Sequence, residues 1–180
     1  ISGERALQYG FTGPNLRAAG VDYDVRVADP YSSYDEFDFI IPIGQNGDTY
    51  DRFCVRQEEM RQSLSIIRQA LDKLDKLGDK TTFRANAPEW VLPPKEGVYN
   101  NMEELIWHFK IVMGETEVPV GEVYHCVEGG NGELGFYLVS DGGRAPFRLH
   151  LRRPCFIYYQ AFPEMIKGSM LSDAIITMSS

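Results

Sequence analysis

Few residue types in this chain are spaced so as to do chemistry. Its histidines are His108, His125 and His150, and its cysteines are Cys54, Cys126 and Cys155. His125 and Cys126 are neighbours in a segment of alternating pattern, so their side chains point to opposite faces and do not converge on one metal. No CxxC or other recognised ligand spacing is present, and the expectation is no metal site and three unpaired thiols. Gly130-Asn131-Gly132-Glu133-Leu134-Gly135 spells GxGxxG, but it leads into a strand and not a helix, so no helix N-terminus would face a pyrophosphate. His108 lies mid-helix among apolar residues and reads as a core or interface histidine. The remaining polar candidates are Glu122 and Asp141, which flank a small sheet, and Arg148, Arg152 and Arg153 on its last strand. They suit a network that holds the sheet, or a polar patch shaping a cavity built jointly with another segment. No catalytic residue is assigned.

The elements that must position these groups follow from period and punctuation. Phe53, Met60, Leu64, Ile67, Leu71 and Leu74 are spaced 7, 4, 3, 4 and 3, an apolar stripe at helical period. With Asp48 as N-cap and Gly78 as stop, the expectation is one long helix over 48–77, packed along that face. Residues 79–99, with Pro88, Pro93 and Pro94, read as an irregular connection. Asn100 or Asn101 then caps a second helix, with Met102, Leu105, Ile106, Phe109 and Val112 on its buried side and Gly114 at its end.

From Val120 the period becomes 2. Runs 121–128, 133–140 and 145–152 are separated by glycine-rich spacers, predicting a three-stranded antiparallel meander over 121–152. After Pro154 come a short aromatic segment and a helical end over 163–180, begun by Pro163-Glu164 and reading as truncated, since its apolar pattern stops at Ser180 without a closing signal. Near the start, Pro14 opens a helix that Gly20 ends, and Tyr31 to Phe39 forms an aromatic, acidic loop suited to packing or to a subunit contact. The fold class is α+β, mainly helical.

Composition narrows the function. The chain has 180 residues, 18 Lys plus Arg against 26 Asp plus Glu, and net charge −8. That balance argues against nucleic acid and against polybasic docking on anionic lipid. No apolar run approaches the ~20 residues of a spanning helix. Residue 1 is Ile, and the opening stretch lacks a signal-peptide pattern. With both ends so formed, the chain reads as a piece of a longer protein.

Several blocks together resemble a known family. They are Leu16-Arg17-Ala18-Ala19-Gly20-Val21-Asp22-Tyr23-Asp24-Val25-Arg26 with Asp29-Pro30-Tyr31, then residues 34–39, Gly47-Asp48-Thr49-Tyr50-Asp51-Arg52, 119–124, 132–143 and Pro146-Phe147-Arg148-Leu149. Their order is similar to the C-terminal portion of the D chain, or 49-kilodalton subunit, of NADH:quinone oxidoreductase, respiratory complex I, with residues 132–143 the most specific part. The resemblance implies a fold like the nickel–iron hydrogenase large subunit. It also implies a place in a quinone-reducing module, where electrons pass from NADH through FMN and iron–sulfur clusters of sibling subunits to quinone. The implied partners are the adjacent iron–sulfur subunit, the other peripheral-arm subunits and quinone. The implied location is the cytoplasmic face of the inner membrane, held peripherally through partner subunits. The family's known quinone-contacting His and Tyr lie in its N-terminal half, so quinone-binding residues are not assigned here, and residues 1–180 are expected to be scaffold without a bound cofactor. The alternatives are the large subunit of a membrane-associated nickel–iron hydrogenase and a non-catalytic interaction module.

Overall fold

The computed structural model describes residues 1–78, 86–87, 90–114 and 118–180. In chain order the helices are α1 (Gly3–Tyr9), α2 (Gly13–Ala18), α3 (Val25–Ala28), α4 (Thr49–Leu77), α5 (Lys95–Asn100) and α6 (Met102–Val112). Strands β1 (Gly121–Gly129), β2 (Gly132–Ser140) and β3 (Arg148–Arg152) follow, and α7 (Pro154–Met165) and α8 (Leu171–Ser179) close the order. The strands form one antiparallel sheet in the order β1-β2-β3. Mixed α+β architecture with a three-stranded meander is therefore what the chain adopts. The chain divides into two compact units. One holds Ile1–Lys76, His125–Phe136 and Leu151–Ser180; the other holds Leu77–Tyr124 and Tyr137–His150.

Local chemistry explains the element ends. Ser2 accepts from the Arg5 N–H and caps α1, while Asp24 caps α3 through the Arg26 N–H. Asp48 Oδ1 accepts from the Asp51 N–H at 2.8 Å, and Asp51 Oδ2 in turn accepts from the Gln45 and Asn46 N–H groups, which fixes the entry into α4. Gly78 takes φ +62° at the helix end. Asn101 is the residue that caps α6. The connection expected to be irregular contains α5; residues 79–85 and 88–89 of it lie outside the described residues.

The first unit has a small core of Ala6, Phe11, Leu16 and Ala161, with Ile1, Tyr9, Ala19, Val21, Tyr23, Ile157, Tyr158 and Met165 against it. Phe11 and Tyr158 meet at 4.7 Å between ring centroids. The second unit has no fully buried apolar side chain among its described residues.

The structure corrects three expectations. The apolar stripe of α4 does not face the chain. Phe53, Met60, Leu64, Ile67, Leu71 and Leu74 are all exposed. The opposite side of α4 docks instead, and mainly through polar groups. Arg52 and Val55 are buried there; Glu59 meets Arg17; Gln62 Oε1 accepts from the Ile40 N–H; Gln69 bridges the Asp38 N–H and carbonyl; and Lys73 reaches Glu36. Hydrophobic period fixes which residues share a face, but the face that meets this part of the chain is the one able to satisfy backbone groups of an extended segment. The apolar side of α6 is likewise exposed at Met102, Leu105, Ile106, Phe109 and Val112. Finally, the helical end begins nine residues before Pro163. Pro154 sits in the first turn of α7 and Pro163 lies inside it, where it forgoes one backbone hydrogen bond.

Candidate functional site

The first unit gathers its charged side chains around one guanidinium. Thr12-Gly13-Pro14 starts α2, with Gly13 at φ +64° pressed against the β1–β2 turn, so that a Cβ there would overlap the Gly132 Cα. Gly132, at φ +123°, faces Thr12 Oγ1 and the Tyr158 hydroxyl across gaps that leave no space for a side chain. This glycine-on-glycine contact brings the β1–β2 turn against the start of α2, four residues before Arg17.

Arg17 is buried, its side chain 2% exposed. Its Nε donates to Glu59 Oε1 at 2.9 Å, and Nη2 donates to the same oxygen. Nη1 donates to the Tyr23 carbonyl at 3.0 Å and to Glu128 Oε1 at 3.0 Å, and lies 3.3 Å from Asp24 Oδ2. The Asp24 and Glu128 side chains are 0% and 4% exposed, and Glu59 16%. Arg26 closes the network with Nη2 2.7 Å from Asp24 Oδ2. Glu128 Oε2 accepts from the Val25 N–H, and the Glu128 N–H donates to the Tyr31 hydroxyl at 2.9 Å.

Three carboxylates thus surround two guanidiniums. Burial works against the Arg17 charge, but Glu59, Glu128 and Asp24 outweigh it and hold its pKa above the ordinary value. Burial also opposes the Asp24 carboxylate, yet hydrogen bonds and charge from Arg26, with Arg17 behind it, bring its pKa below the usual range. For Glu128 the balance tips the other way: burial raises its pKa despite Arg17.

A second polar knot lies beside the first. Thr12 Oγ1 accepts from the Glu133 N–H at 3.1 Å and from Arg152 Nη1 at 3.2 Å. Arg152 also donates to the Glu133 carbonyl at 2.6 Å and the Gly10 carbonyl at 2.9 Å, while the Tyr23 hydroxyl donates to Glu133 Oε2 at 3.3 Å. The Tyr158 hydroxyl sits between the Thr12 and Asn131 carbonyls. Asn15 and Arg56 line a nearby cavity of about 220 Å³, and Asn15 Oδ1 and Arg56 Nε are buried without a hydrogen-bond partner.

Of the five polar residues singled out from sequence, Arg152 alone enters this arrangement; Arg153 lies over the Phe156 ring, 5.0 Å from its centroid. Glu122 is exposed and accepts from the Tyr137 hydroxyl at 2.5 Å. Asp141 Oδ1 accepts from the Gly143 N–H at 2.9 Å and shapes the turn after β2. Arg148 is exposed. Glu122, Asp141 and Arg148 belong to the second unit and Arg152 to the first. His125 meets the Tyr31 ring edge-on at 6.2 Å. The aromatic, acidic loop packs within its own unit, with Arg26 over Phe39 at 4.9 Å and Lys73 over Phe37 at 4.4 Å. All three cysteines are free, and among the described residues no three His, Cys, Asp or Glu side chains come together as metal ligands.

Sequence reasoning missed Arg17, Asp24, Glu59 and Glu128. One signal for them existed: Arg17 is the sole charged residue between Phe11 and Ala19, and a cation in so apolar a run needs buried carboxylates. Where those carboxylates come from, 7, 42 and 111 residues onward, no local pattern says.

The polar groups of both knots satisfy one another. Chemically the arrangement ties α2, α3, α4 and the β1–β2 turn together through ion pairs and hydrogen bonds. The profile of the family described as respiratory-chain NADH dehydrogenase, 49 Kd subunit, matches residues 1–180. The chain belongs to that family. It is similar over its whole length to the NADH-quinone oxidoreductase D subunit of Cytophaga hutchinsonii that is numbered 2, at 73% identity, and to the NADH-quinone oxidoreductase D subunit of Flavobacterium johnsoniae, at 71%. The corresponding protein of Leptospira biflexa is 58% identical over the same 180 residues. The chain spans less than half the length of these relatives, 46% of the Cytophaga protein and 43% of the other two. Among the described residues, no helix is long and apolar enough to cross a membrane.

Proposed function

We propose that residues 1–180 are a scaffold within the quinone-reducing module of a proton-pumping NADH:quinone oxidoreductase. In that assembly electrons from NADH reach quinone through FMN and iron–sulfur clusters carried by sibling subunits. The described residues offer no ligand set that fits an iron–sulfur cluster, and no step of the reaction is routed through them. Their task is mechanical: the Arg17 hub and the Thr12–Arg152 knot hold one wall in shape, and the exposed apolar faces of α6 and α8 meet neighbouring protein. The neighbours are the adjacent iron–sulfur subunit and other peripheral-arm subunits, which hold the chain peripherally at the cytoplasmic face of the inner membrane.

The observation that carries this reading is the family membership over the full 180 residues, joined to a charged centre whose groups are paired with one another. The test is to isolate the parent protein from its cells through an affinity tag and assay the eluate. The reading expects sibling subunits bearing flavin and iron–sulfur clusters, with NADH-dependent quinone reduction. Purified residues 1–180 should show no such turnover. An eluate without NADH:quinone activity, or turnover by residues 1–180 alone, would refute it.

A further inference from the structure

The hydrogen bonds of the Arg17 hub do not divide evenly. Arg17 Nη1 carries two hydrogens and faces three acceptors, the Tyr23 carbonyl and Glu128 Oε1 at 3.0 Å each and Asp24 Oδ2 at 3.3 Å. Two carboxylate oxygens therefore press on one nitrogen. The three carboxylates are also provided for unequally. Asp24 holds both oxygens against Arg26, Oδ1 accepting from Nε at 3.0 Å and Oδ2 from Nη2 at 2.7 Å, and Oδ1 takes the Arg26 N–H as well. Glu59 accepts from two nitrogens of Arg17 and keeps some contact with solvent. Glu128 has a share of the Nη1 hydrogens and the Val25 N–H at 3.3 Å, and is closed off from water. In formal charge, three carboxylates stand against two guanidiniums, a surplus of one negative charge in a buried place. Keeping such a charge dry is costly, and a proton on the least-provided carboxylate removes it.

We propose that the hub is a reversible proton-binding site: one proton is taken up on the Glu128 carboxyl, and β1 is fastened to α2 and α3 more firmly when that proton is bound. The groups around Glu128 support this. Burial raises its pKa against the pull of Arg17, and the Asp24 charge adds to the rise. Arg26 faces it from α3, behind Asp24. Tyr23, Tyr31, Tyr158 and Cys126 also feel the Glu128 charge, and burial pushes all four above their ordinary values, so they stay neutral near pH 7. Glu133 on β2 lies 3.7 Å from Arg152. His125 meets the far side of Tyr31 and, three residues before Glu128, belongs to the opposite face of β1. A carboxyl whose pKa is raised on folding holds its proton more tightly in the folded chain. Its contribution to stability therefore grows as pH falls through the raised value and is complete below the ordinary value of 4.5. Asp24, held below its usual range, gives way only at lower pH still. This goes beyond the scaffold reading and stands whichever reaction the assembly performs.

The test uses the full-length protein in its native assembly. Amide hydrogen exchange of residues 126–129 and of α3 is followed between about pH 8 and pH 5, each protection factor being corrected for the chemical exchange rate at that pH. In the unsubstituted protein, protection should rise by roughly threefold or more on acidification. Glu128→Gln cannot titrate and should abolish the rise, although its amide, set against the Val25 N–H or Arg17, lowers the level of protection at every pH. Asp24→Asn keeps a cap for α3 but removes the second charge on Arg17 Nη1, and should move the midpoint of the rise down by about one pH unit. His125→Asn should leave the rise as it is. A rise that survives in Glu128→Gln, one that disappears in His125→Asn, or an unmoved midpoint in Asp24→Asn would overturn the proposal. Should Glu128→Gln fail to assemble, the Asp24→Asn midpoint carries the decision, and the absence of any rise in the unsubstituted protein overturns the proposal without a variant.

Discussion

Replacing Arg17 by Met removes the one cation shared by three carboxylates, two of them buried. In the native hub two guanidiniums face Asp24, Glu59 and Glu128; in Arg17→Met only Arg26 remains, bound to Asp24. Glu59 and Glu128 lose their Arg17 hydrogen bonds, and the carboxylate excess doubles from one to two. Breaking a buried ion pair from one side costs about 3–5 kcal/mol, because the partner is left charged and dry. Two features moderate this: Glu59 keeps some contact with solvent, and Glu128, whose pKa burial already raises, takes up a proton more readily. We expect about 3 kcal/mol, read by amide hydrogen exchange of α2 and α3 in the assembled complex. At 1.4 kcal/mol per tenfold, protection there should fall by about 10²-fold. Arg17→Lys should fall between, since one ammonium cannot reproduce the fork. Adding Glu128→Gln to Arg17→Met should recover part of the loss, because it removes one of the orphaned charges. Protection within a factor of five of the unsubstituted protein in Arg17→Met would show that the hub does not hold these elements together.

Other consequences are as direct. The Arg5 side chain, hydrogen-bonded to Glu164 and helped by the Tyr9 hydroxyl, brings the Glu164 pKa down to about 2. A depressed carboxylate stabilises above its unfolded pKa and loses that contribution as pH falls through about 2, so Glu164→Gln should flatten the acid limb of a stability–pH curve between about 4.5 and 2. An unchanged acid limb would contradict the pairing. Gly132→Ala should destabilise the β1–β2 turn by about 1–3 kcal/mol, because φ +123° is strained for alanine and the new methyl meets Thr12 and Tyr158; differential scanning calorimetry showing no loss would refute the close approach. Purified residues 1–180 should self-associate, since Phe53, Met60, Leu64, Ile67, Leu71 and Leu74 of α4 and Leu171, Ile175 and Met178 lie exposed. Leu64→Lys with Leu71→Lys should reduce that association in analytical ultracentrifugation, and a monodisperse monomer before substitution would contradict it.

What the sequence disclosed and what it withheld have separate physical origins. The β1–β2 turn was legible because Gly130-Asn131 between two alternating runs admits few chain paths, and the turn does fall there. The ends of α4 and α6 were legible because Asp48, Gly78 and Asn101 satisfy or release helix-terminal groups locally. The side on which α4 docks was not, since an apolar stripe marks a face wanting cover without saying which protein supplies it. Helices α1, α3 and α5, of seven, four and six residues, are too short to display a period. The Arg17 hub stayed hidden because it is assembled by tertiary structure from four distant segments. Arg152 was found for its place on a patterned strand; Arg148 and Arg153, found by the same rule, and Glu122 and Asp141, found at the ends of the sheet, lie outside both knots.

The central claim is that these residues give shape to a redox module and do not take part in its chemistry. Its most direct test is the NADH:quinone turnover of membranes carrying Arg17→Lys or Glu128→Gln in the full-length protein, normalised to the flavin of assembled complex. The account predicts less assembled complex and a turnover per flavin within twofold of the unsubstituted enzyme. Full assembly with turnover per flavin reduced tenfold or more would contradict it, and would move the hub from the scaffold into the reaction.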